Sequence, residues 1–101
     1  MKMLTIICRE RLQDAVVQVL NGAGVKGYTV MSGLGGKGLT GTVSEYSWMA
    51  DRNVSIMTAI DDQQVTPITQ AVKHLYLREV EKRAGEEVPL KVFLQPCEVI
   101  L

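Results

Sequence analysis

The sequence predicts an α/β (α+β) domain with elements in the order βαββαβ, a four-stranded antiparallel sheet carrying two helices. Three observations lead there. Four short apolar segments have strand chemistry, two longer segments repeat apolar residues at helical spacing, and their alternation is the split βαβ order. The chain of 101 residues is sized for one domain, residues 1–101. With one Trp and one Phe, Val, Leu, Ile, Met and Ala must fill its interior.

Met3 to Cys8 (MLTIIC) is a compact run with β-branched residues and reads as a central strand buried on both faces. From Glu10 to Asn21 the residues Leu12, Val16, Val19 and Leu20 share one helical face, opposite Gln13, Asp14 and Gln18. Asn21-Gly22 and Gly24 stop that helix. Lys26 to Ser32 (KGYTVMS) returns to strand alternation, with Tyr28 and Val30 on one face and Thr29 and Met31 on the other. Asn53 to Ile60 alternates Val54, Ile56 and Thr58 against Met57 and Ala59. Asp61-Asp62 then caps a second helix whose stripe is Val65, Ile68, Val72, Leu75, Tyr76 and Val80, with Pro67 tolerated in its first turn. Leu90 to Leu94 (LKVFL) supplies the last strand, and an apolar tail, Cys97 to Leu101, follows Pro96.

This is the ferredoxin-like arrangement. Two helices cover one side of such a sheet, and strands apolar on both faces leave the other side to be buried against further copies of the chain. A homo-oligomer is therefore expected. Between the second and third strands a long flexible loop, at about residues 34–52, opens on the glycines of Gly33-Leu34-Gly35-Gly36-Lys37-Gly38.

Eleven Lys plus Arg balance eleven Asp plus Glu, which disfavours nucleic acid as a partner, since phosphate contacts need a basic excess. Cys8 and Cys97 stand far apart among apolar neighbours and read as buried thiols, not as a disulfide or metal pair. No signal-peptide pattern and no apolar run of membrane length is present, so a cytoplasmic protein without membrane insertion is expected.

The glycine segment is the sharpest functional feature: its backbone N–H groups can approach an anion, and Lys37 can add a charge. A plain glycine hairpin is the competing reading. It is not a Walker loop, for no Ser or Thr follows Gly-Lys at the required place. Beyond it, Thr42, Glu45, Tyr46 and Trp48 have the make-up of a recognition surface, or of a packed subunit boundary. His74 has no matched acid or nucleophile, and Asp61, Asp62, Glu86 and Glu87 read as caps and solvated charge. No catalytic residues and no metal ligands are assigned.

MKMLTIICR, LQDAVVQVLNGAGVKGYTV, the glycine-rich start of the long loop, NVSIMTAIDDQQVTPITQAV and LKVFLQPCEVI together resemble the PII signalling family, and especially its divergent PII-like members. The resemblance spans nearly the whole chain, with GAGVKGYTV its most specific piece. It implies a homotrimer whose sheets line the centre, long loops that reach partners, and adenine-nucleotide binding (ATP, ADP or AMP) in clefts between subunits. By that resemblance the nucleotide-binding residues are Thr29, Gly33, Gly35, Gly36, Lys37, Gly38 and Lys91. The chain departs from the family in having Val88-Pro89-Leu90 where a Gly-Asp-Gly loop precedes the lysine, and the sequence stops at Leu101, before the family's usual paired arginines. Tyr46 stands in a different context from the family's modified tyrosine, so uridylylation is not carried over to it.

The resemblance thus implies a non-catalytic regulatory sensor that binds an adenine nucleotide and controls a partner transporter or enzyme through its long loop. The alternative is a metal-responsive or metal-tolerance adaptor resembling CutA-like proteins. An enzyme is the least favoured class, because no nucleophile, acid-base pair or metal centre emerges.

Overall fold

Lys2–Arg9 forms β1, and a single 3-10 turn, Glu10–Leu12, leads into α1, Gln13–Gly22. Next come β2 (Thr29–Leu34), the short strands β3 (Gly36–Gly38) and β4 (Gly41–Val43), and β5 (Asn53–Ile60). A second 3-10 turn, Asp62–Gln64, opens α2, Val65–Lys82, and β6 is Lys91–Pro96. The structure, a computed structural model, describes residues 1–38, 41–43, 52–85 and 88–101. Glu45, Tyr46 and Trp48, placed by the sequence in a partner-binding loop, lie outside the described residues.

The main sheet is antiparallel in the order β2-β5-β1-β6, the ferredoxin-like order. Its register sorts the side chains into rows. Val30, Ile56, Ile6 and Val92 form one row on the helix side, and Thr58, Leu4 and Leu94 the next. Against the middle of that side pack Val16 and Leu20 of α1 and Ile68, Val72 and Leu75 of α2, all buried together with Ile6, Cys8, Val54 and Ile56. Each such side chain contributes about 1.5–3 kcal/mol by leaving water. Both predicted helical stripes are therefore the core-facing ones, with Val19, Val65, Tyr76 and Val80 at its margin.

The other face carries no helix. Across it run Thr29, Met57, Thr5 and Phe93 in one row and Met31, Ser55, Ile7 and Lys91 in the next. Met31 is 45% and Phe93 50% exposed, so apolar side chains of two edge strands stand in solvent on a single chain. This is the uncovered face that the two-sided strands predict.

Both helices end in the same device. Val25 N–H bonds Leu20 O at 3.0 Å beyond α1, and Gly85 N–H bonds Val80 O at 2.9 Å beyond α2, each spanning five residues. Gly24 supplies the left-handed residue for the first, at φ +86°. For the second that position is Ala84, at φ 54°, where a Cβ is disfavoured by about 1–2 kcal/mol. Ala84→Gly is therefore expected to stabilise the fold by about 0.5–1 kcal/mol after its greater unfolded-state entropy is deducted. A Tm that does not rise would count against this account.

Several expectations are adjusted. Gly36–Gly38 and Gly41–Val43 pair as an antiparallel hairpin, so part of the segment predicted as loop is regular. The second strand starts at Thr29 instead of Lys26, because Gly27 O accepts the Thr58 hydroxyl at 2.6 Å in place of a ladder bond. Cys8 is buried, but Cys97 is only half-buried, since the tail runs past the end of the sheet; the two form no disulfide.

Candidate functional site

β2 pairs with β5 only as far as Thr29 opposite Met57. Beyond that point β5 continues through Thr58, Ala59 and Ile60, while the chain before β2 diverges through Gly24–Gly27. The gap between them is a cleft of about 280 Å³, closed at one end by Asp61 and Gln64. Along one wall the β2-facing backbone groups of residues 58–60 have no partner strand. A strand edge that alternates donor and acceptor suits the edge of a flat heterocycle.

The cleft is held open by side chains doing structural work. Thr58, 6% exposed, donates its hydroxyl to Gly27 O. Gln64 closes a capping box with Asp61, its Oε1 accepting the Asp61 N–H at 2.9 Å, and its Nε2 reaches Gly24 O at 3.5 Å. One amide thereby links the start of α2 to the loop leaving α1. Next door, the Met1 ammonium donates to Asp62 Oδ1 at 3.0 Å, and that hydrogen bond, reinforced by its charge, holds the Asp62 carboxyl below its ordinary value. The carboxyl is depressed, so the pair stabilises the fold above the unfolded carboxylate pKa and is lost as pH falls through the folded one; being exposed, it contributes little.

The residues assigned to a nucleotide by resemblance fall in three places. Thr29 is exposed, the first residue of β2 and the last to pair with β5, two residues along the chain from Gly27 of the cleft lining. Gly33, at φ +70°, sits in a bulge between Met31 and Leu34, while Gly35, Gly36, Lys37 and Gly38 run into the hairpin, with Thr42 opposite Lys37. Lys91 starts β6, exposed, and pairs with Ile7. Thr29 and Lys91 share the open face but lie on opposite edges of the sheet, separated by three strand spacings, about 14 Å, across it and by one row along it. One chain does not bring them together.

The segment before Lys91 is packed into the core. Val88 is 3% and Leu90 7% exposed, and Leu90 N–H is bonded to Val88 O at 2.8 Å around Pro89. Sequence reasoning missed the cleft residues Gly24, Val25, Gly27, Thr58 and Gln64. Their signals were the GAGVKGYTV segment, read only as a mark of resemblance, and the Asp61 to Gln64 spacing of a capping box. Among the described residues no three of His, Cys, Asp and Glu stand together as a metal site, His74 is exposed on α2, and no helix is long and apolar enough to cross a membrane.

No curated protein matches the chain significantly. Solved structures do. CPII from Thiomonas intermedia K12, bound to ADP and bicarbonate, matches with a TM-score of 0.74 and 26% identity, over 93% of this chain and 82% of that one. The same protein, a nitrogen regulatory PII-like protein, bound to ADP, AMP and bicarbonate gives 0.77 and 25% over the same shares. Its apo form gives 0.60 and 26% over 93% and 85%. The family model described as nitrogen regulatory protein P-II matches residues 1–100. With the ferredoxin-like sheet and nearly the whole chain accounted for, the protein belongs to the nitrogen regulatory protein P-II family, signalling proteins that regulate and do not catalyse.

Proposed function

We propose that the chain is a regulatory sensor whose adenine nucleotide seats its base in the cleft beside Thr29 and extends its phosphate along β2 towards the glycine hairpin. The observation that carries this reading is the unpaired main-chain edge of residues 58–60, lying next to Thr29 in a chain similar to a protein solved with ADP, AMP and bicarbonate. Because Thr29 and Lys91 occupy opposite edges, a site that uses both is completed by a neighbouring copy. The open face supplies the surface on which copies meet, and a homotrimer is the assembly this family membership favours.

β2 connects the two ends of the mechanism. It begins at the cleft and runs, with only Gly35 between, into β3. A ligand that binds better to one position of β2 shifts the population of hairpin positions, and with it the loop of residues 34–52 that carries Thr42, Glu45, Tyr46 and Trp48 to a partner transporter or enzyme. Bicarbonate is a second ligand to try, given the CPII complexes. The test is isothermal titration of nucleotide-free protein with AMP and ADP, with and without bicarbonate. Saturable binding of either nucleotide is expected; heat indistinguishable from dilution for both removes the nucleotide reading.

A further inference from the structure

Resting on the adenine-nucleotide reading, we propose that Gln64 is a recognition residue of the cleft: its side-chain amide donates a hydrogen bond to an unprotonated ring nitrogen of the bound base. Neither the sequence pattern nor the family resemblance assigns this residue to a ligand. What singles it out is the way the fold fixes its direction.

A glutamine side chain ends in an acceptor oxygen and a donor nitrogen of nearly the same shape, and an unrestrained one turns either towards a ligand. Here one end is taken. Oε1 accepts the Asp61 N–H at 2.9 Å while the Asp61 carboxylate accepts the N–H of Gln64, and the two bonds close the capping box. Turning the amide over would set its N–H groups against the Asp61 N–H and open the box. The nitrogen is therefore the end held away from the box, and it reaches Gly24 O at 3.5 Å. Well-made N–H···O bonds are about 2.9–3.0 Å long, so this one is loose. An amide nitrogen also carries a pair of N–H groups, of which Gly24 O takes one.

Both ends of that link, Gly24 and Gln64, line the cleft. Thr58, on the same lining, gives its hydroxyl proton to Gly27 O. Lys26 also lines the cleft, but as an exposed ammonium on a flexible stem it sets no direction. Gln64 thus offers a neutral donor at a fixed place, in the same cleft as the main-chain edge of residues 58–60. A ring nitrogen without hydrogen accepts from it. A C–H at that place leaves the donor unpaired, a mismatch that a hydrogen-bonding site rejects far more strongly than a small change of size.

The experiment titrates the full chain with AMP and with the analogues in which N1, N3 or N7 of the adenine is replaced by C–H, and repeats the series on Q64E. Glutamate closes the same capping box, so Q64E is expected to melt within a few degrees of wild type while placing an acceptor where the donor was. One analogue is expected to bind wild type at least about tenfold more weakly than AMP, and that ratio to fall below about threefold in Q64E. Taking the ratio cancels any uniform effect of the new charge on the phosphate. Analogues that all bind wild type as AMP does overturn the proposal, a result that needs no variant. A deficit that persists in Q64E places the donor on another group and overturns it too. Failure of AMP itself to bind wild type removes the nucleotide reading together with this inference.

Discussion

Gly27→Trp is expected to raise the dissociation constant for AMP or ADP at least 30-fold while leaving the thermal midpoint within a few degrees of wild type. Gly27 forms part of the cleft wall, a Cβ built on it meets nothing within 4 Å, and its φ lies outside the left-handed region. An indole there fills space that the fold leaves empty and that the proposed base would occupy. Thirtyfold corresponds to about 2 kcal/mol of lost binding, a modest demand on a ring that excludes the ligand sterically. Calorimetric titration reads the affinity and a thermal melt reads the fold. Unchanged affinity with an unchanged melt would place the base elsewhere.

Ile7→Asp is expected to abolish the self-assembly proposed on the open face and leave monomers. Ile7 lies on the open face between Ser55 and Lys91, in a central strand, and does not face the helices. If copies of the chain meet on this face, each brings an aspartate into an apolar contact with nothing to pair it. Burying such a charge costs several kcal/mol. At about 1.4 kcal/mol per decade, a 4 kcal/mol loss weakens assembly roughly a thousandfold. Light scattering after size exclusion measures the mass directly. A variant that keeps the wild-type mass shows that the assembly uses another surface, and the exposed Val92, Leu94 and Leu77 would be examined next.

The fold was legible because its signals are carried by side chains. The stripe Ile68, Val72, Leu75 and the alternation of Val54, Ile56 and Thr58 are consequences of burial, and burial constrains residue type. The hairpin was harder to read: Gly-Lys-Gly paired with Gly-Thr-Val has almost no strand propensity and is placed by continuation from β2. The cleft was least legible of all. It is made of backbone groups exposed where two strands part company, and any residue carries those groups. Thr58 read as one more member of an alternating strand, when its hydroxyl in fact holds Gly27 in position. Thr29, in contrast, was marked by resemblance and stands where β2 stops pairing with β5, and Lys91 by the same route stands on the far edge of the sheet.

The bulge in β2 has a bearing on aim. From Met31 to Leu34 the strand advances three residues while its partner advances two, from Ser55 to Asn53, and Gly33 with its positive φ absorbs the surplus. Side chains along an extended chain alternate like the two sides of a ribbon, so one surplus residue turns the ribbon over for everything beyond it. The bulge thus acts as a parity bit: without its surplus residue, Lys37 would exchange sides with Gly36 and Gly38, which flank it. Inserting or deleting one residue here changes which way the hairpin looks, whereas inserting or deleting two changes only its reach.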